Sequence, residues 1–64
     1  MKIVGKTLNE FTILVSNEEA VTINNALNEV CNGIDVPEFE TRMGCKETEA
    51  RKLLSEFHAA LNSN

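Results

Sequence analysis

Residues 11–33, FTILVSNEEAVTINNALNEVCNG, decide the fold, because the hydrophobic pattern changes its character within them. FTILV, residues 11–15, is rich in β-branched and aromatic side chains and reads as a strand. Ser16 then opens a helix. Ser16 and Glu19 stand as S-x-x-E, a capping box in which each side chain satisfies the other residue's free backbone N–H. Val15 and Ala20 fall at the positions of a hydrophobic staple, and Glu18 and Glu19 suit the positive end of the helix dipole. Ala20, Ile23, Leu27, Val30 and Cys31 recur at steps of three and four, the spacing of one buried helical stripe. Gly33 is expected to end this helix in a left-handed cap.

Upstream, residues 2–8 read as a second strand, which makes the N-terminus a hairpin. Only Asn9 and Glu10 separate the two runs. Glu10 is poorly suited to the positive φ of a two-residue hairpin turn, so the loop is expected to be longer and to begin near Lys6. Gly5 marks a bulge or bend. Downstream, IDVPEFETRMG (residues 34–44) predicts a short second helix. Val36 is extended before a proline, Pro37 takes the first helical position, Phe39 and Met43 share a face, and Gly44 closes the element. The third helix spans 47–61, with an apolar stripe of Ala50, Leu53, Leu54, Phe57 and Leu61. Glu47 and Arg51 form a favourable i,i+4 pair within it, and Asn62, Ser63 and Asn64 are expected to fray. The expected class is α+β: an N-terminal two-stranded antiparallel hairpin packed on three helices, the middle one short, with the last two resembling a helix-turn-helix.

The chain's 64 residues make one small domain, 1–64, whose stability margin is thin for lack of buried surface. Its apolar fraction of 42% supplies one core and argues against disorder. Ten acids against six bases give a net charge of −4, which counts against non-specific nucleic-acid binding. With no Trp or Tyr and three Phe, a stacking platform for single strands is not expected. No apolar run approaches the roughly 20 residues of a membrane span, and the N-terminus shows no signal-peptide core. Two cysteines are too few for a secreted disulfide scaffold, so Cys31 and Cys45 are expected to be reduced, buried thiols in a cytoplasmic protein.

FETRMGCKETEARKLLSEF, residues 39–57, has the shape of a helix-turn-helix: a short helix, a Gly in the turn, a longer helix. Arg42, Lys46, Thr48, Arg51 and Lys52 would then be the DNA contacts. Against this, Lys46 stands where such turns usually place a Ser or Thr cap. Glu47 and Glu49 occupy the first turn, and the half after residue 34 holds four bases against six acids. Catalytic readings have less to work with. Cys31, Cys45 and His58 are the only soft metal ligands, three where a structural zinc site takes four, and no Gly-rich phosphate loop is present. No cofactor is expected, and His58 reads as a half-exposed residue at the edge of the third helix's stripe.

The most unusual feature lies on the first helix. At 100° per residue, Asn17, Val21, Asn24, Asn25, Asn28 and Asn32 share one arc that carries no charge. Asn is a poorer helix former than the Glu and Lys usual on exposed faces. Either the chain is simply rich in Asn, with eight in all, or the arc is a contact surface, since interfaces are depleted in charge at their centres. The functional expectation is a non-catalytic, cytoplasmic protein-binding module, such as a small acidic inhibitor, immunity-type protein or adaptor. It would be homodimeric, with a partner protein of basic character. The alternative is a small dimeric DNA-binding regulator of helix-turn-helix type.

Overall fold

The computed structural model describes residues 1–63. The chain is α+β: a two-stranded antiparallel hairpin, β1 (Lys2–Lys6) and β2 (Phe11–Leu14), followed by helices α1 (Asn17–Asn28), α2 (Phe39–Met43) and α3 (Glu47–Leu61). The strands pair Lys2 with Leu14, Ile3 with Ile13, Gly5 with Thr12 and Lys6 with Phe11. The register slips between Ile3 and Gly5, so Val4 is the extra residue of a bulge, beside the glycine that predicted it. The loop is longer than two residues, as Glu10 requires. Thr7 N–H donates to the Glu10 carbonyl at 2.9 Å, and Thr7 Oγ1 accepts from the N–H groups of Glu10 at 3.0 Å and Asn9 at 3.3 Å.

The capping box at Ser16 is complete. Ser16 Oγ accepts from Glu19 N–H at 3.1 Å, and Glu19 Oε1 accepts from Ser16 N–H at 2.9 Å. The Met1 ammonium reaches the same carboxylate at 2.7 Å. This bond, with that from the Ser16 backbone, pulls the Glu19 carboxyl down from 4.5 to about 2.

The end of the helix departs from expectation. Gly33 does not adopt a left-handed cap; Glu29–Gly33 widen into one π-helical turn, closed by Ile34 N–H on the Glu29 carbonyl at 2.9 Å. A Cβ at Gly33 would meet only the end of the exposed Glu29 side chain, which can swing aside. Pro37 likewise falls outside α2. The helix starts two residues later from Glu38, which holds the left-handed conformation at φ 54°. Gly44 closes α2 as expected and does so in the left-handed conformation, at φ 77°. α3 ends at Leu61 as expected, and beyond it the Asn62 amide donates to the His58 carbonyl at 3.1 Å and Ser63 Oγ to that of Ala60 at 2.9 Å. Asn64 lies outside the described residues.

α1, the π turn and α3 form the packed body. Its buried residues are all small: Ala20, Cys31 and Ala50, the last 2% exposed. Both predicted stripes face each other here, with one exception. Leu53 stays half-exposed because Ala50, Leu54, Phe57 and Leu61 already fill the side of α3 turned to α1. Cys31 is buried and Cys45 half-buried, and both are free thiols. The hairpin, expected to pack on the helices, stands largely clear of them, and every residue of β2 is exposed. Among the described residues no helix is long and apolar enough to cross a membrane.

Candidate functional site

α1 and α3 meet along their stripes and diverge on one side, opening a cleft of about 450 Å³. Asn24, Asn25 and Asn28 form the α1 wall; Arg51, Leu54, Ser55 and His58 form the other. Steps of four on α1 and of three and four on α3 put each set on one helical face. Each wall therefore runs beside its helix's buried stripe.

Asn24 sits next to Ala20 in that stripe, so the closing of the helices half-buries it. Its Oδ1 is buried and accepts no hydrogen bond among the described residues. Such an acceptor forgoes its water, at a cost of about 1–3 kcal/mol, unless something else supplies a donor. Asn28 Oδ1 accepts from the Asn32 amide at 3.0 Å. His58 Nε2 lies 3.0 Å from the Asn62 amide nitrogen, which fixes its ring at the cleft's end.

Arg51 controls the opposite end. Its guanidinium donates to Asn32 Oδ1 at 2.6 Å and to the Cys31 carbonyl, and Nε donates to Glu47 at 3.4 Å. The Cys31 carbonyl belongs to the last turn, where a helix leaves carbonyls without intrahelical partners. Arg51 thus ties α3 to the end of the first helix, a role that helical spacing alone did not reveal.

The predicted Asn arc is accordingly divided. Asn24, Asn25 and Asn28 are brought together in the cleft, and Asn32 is bonded to Arg51 and Asn28. Asn17 lies apart, in a smaller groove of about 280 Å³ with Val15, Ala20, Phe57, Ala60, Leu61 and Ser63. Val21 is exposed and lines neither. The arc is also not free of charge, because α3 swings the Arg51 cation over it.

The basic set divides too. Arg51 turns toward α1. Lys46 holds the cap position of α3, where Glu49 accepts from its N–H at 3.0 Å, so an acid stands beside it as the sequence implied. Arg42 lies in the last turn of α2, and Thr48, Arg51 and Lys52 are exposed on the first turns of α3. Among the described residues no three of His, Cys, Asp and Glu gather to hold a metal ion. Comparison with protein-family models, curated proteins and solved structures finds no match to this chain.

Proposed function

We propose that the chain is a non-catalytic protein-binding module whose partner is received by the cleft between α1 and α3. The observation that carries this reading is the buried, unsatisfied Asn24 Oδ1 in a wall of further amides. A carboxamide presents both a donor and an acceptor, the complement of a peptide group, and avoids the desolvation cost of a charge. A rotation of the Asn24 side chain would turn Oδ1 into the cleft, where a partner backbone N–H would satisfy it. The net charge of −4 favours partners of basic character through electrostatic steering. An inhibitor, immunity-type protein or adaptor fits this description, acting in the cytoplasm, where the free thiols of Cys31 and Cys45 remain reduced.

The DNA-binding alternative draws less support. Arg51 is engaged within the fold and Glu47 and Glu49 line the approach to Lys46. The test is affinity capture from the native host with the wild-type chain and with Asn24→Lys/Asn28→Lys, both immobilised, with bound nucleic acid read by absorbance. Proteins held by the wild type and lost with the variant support the reading. Identical captures, or nucleic acid in place of protein, overturn it.

A further inference from the structure

The hairpin presents a second and separate surface. Cross-strand partners share a sheet face, so Ile3, Phe11 and Ile13 lie together on one side. They remain 59%, 64% and 44% exposed, and Lys6 lies over part of the cluster, 5.1 Å from the centre of the Phe11 ring. The two edges differ. β1 carries the bulge at Val4 and a lysine at each end, devices that discourage strand addition. β2 is FTIL: regular, uncharged and free of proline.

The area at stake can be estimated. A folded monomer of 7.1 kDa exposes about 4,100 Å². This chain exposes 5338 Å², about 1,200 Å² more. Its radius of gyration of 13.0 Å exceeds the roughly 11 Å expected for its length. An excess of this order is what one partner gives to an obligate homodimer, which buries at least about 2,000 Å² in total, and the exposed hairpin carries part of it.

We infer that the occupant is a second copy of this chain, with β2 pairing antiparallel to β2 of its partner in a four-stranded sheet. Antiparallel pairing of like strands is two-fold symmetric and self-complementary, so it closes at a dimer. Phe11–Leu14 carry no charge, so the pairing opposes no like charges despite the acidic chain. A two-strand sheet is marginal alone and the joined sheet has the strands it lacks. The axis passes through Thr12 or Ile13 rather than between them. A one-residue slip would set Phe11 opposite Leu14 of the partner, on the wrong face. Either permitted register unites the two apolar clusters on one side of the sheet.

The test needs two measurements. Sedimentation equilibrium of the wild type should give twice 7.1 kDa at micromolar concentration. Phe11→Lys/Ile13→Lys should weaken self-association at least about 25-fold, with helical circular dichroism kept, because it sets unpaired charges in the contact. Leu8→Lys, at the fully exposed hairpin tip, should leave the mass unchanged. If the double variant fails to fold, amide exchange on the wild type decides: in the dimer all of β2 is protected, whereas a free edge leaves alternate amides open. A wild-type mass of 7.1 kDa overturns the inference, and so does a dimer whose alternate β2 amides exchange freely. Asn24→Lys/Asn28→Lys should remain dimeric, so loss of the cleft's function and loss of the dimer are read separately.

Discussion

Arg51→Met removes the guanidinium while keeping an aliphatic stem, and so isolates the tie between α3 and the end of the first helix. The wild-type side chain gives charge-assisted bonds to Asn32 Oδ1 and the part-buried Cys31 carbonyl. In a buried setting each would contribute about 1.5–3 kcal/mol. Arg51 is 47% exposed, so water competes for both and the Glu47 pair adds little. The expected net loss is about 1–2 kcal/mol. With an unfolding entropy of about 2.1 cal/mol/K per residue, 64 residues convert this to a fall in melting temperature of about 7–15 °C. Arg51→Lys should recover only part of it, since a point charge cannot reach both acceptors in one fork. The assay is thermal denaturation followed by circular dichroism at fixed chain concentration. A melting temperature within about 1 °C of wild type would refute the role given to Arg51 and return its cation to the surface as an available DNA contact.

Further outcomes follow from the local geometry. Ser16→Ala removes the cap on Glu19 N–H and should cost about 1 kcal/mol, read as a lower melting temperature, with no change indicating that the box is idle. Glu19, bonded foremost by the Met1 ammonium, titrates at about 2 when folded and near 4.5 when not; its stabilisation is therefore complete above about pH 4.5 and disappears as pH falls through about 2. Glu19→Gln should flatten that acid limb in a pH series of denaturant midpoints. Gly44→Ala forces a side chain onto φ 77° and should cost about 1 kcal/mol, while Glu38→Gly should relieve the strain at φ 54°; both are measured by chemical denaturation. Ala50→Leu should destabilise by about 1–3 kcal/mol through overpacking against α1, since that position has no spare volume.

The elements were legible wherever the signal is local. Ser16 and Glu19 fix the start of α1 because both partners of the box lie within one turn. Glu10 excluded a two-residue turn, and Gly5 marked the bulge. Gly33 and Pro37 misled because each has two uses. A glycine after a helix serves a left-handed cap or continues the last turn at ordinary φ, and only the path of the π-helical turn decides between them. A proline suits the first turn or the approach to it, and here Glu38 takes the strained position between Pro37 and α2. Leu53 fits the stripe by spacing, but its exposure depends on how far α1 extends across α3. The Asn arc was visible as composition. Its division was not, because the angle between α1 and α3 determines which amides enter the cleft, and the bonds that place Arg51 there span 19 and 20 residues.

Pairing through the open β2 edge, if it supplies strands that the lone two-stranded sheet lacks, couples folding to association. The dependence of melting temperature on chain concentration tests it most directly. For a dimer that dissociates as it unfolds, an unfolding enthalpy of about 0.7 kcal/mol per residue over two 64-residue chains predicts a rise of about 10 °C per hundredfold increase in concentration. A melting temperature constant to within about 1 °C across the same range would contradict it, and would mean that the 5338 Å² surface is stable on a lone chain.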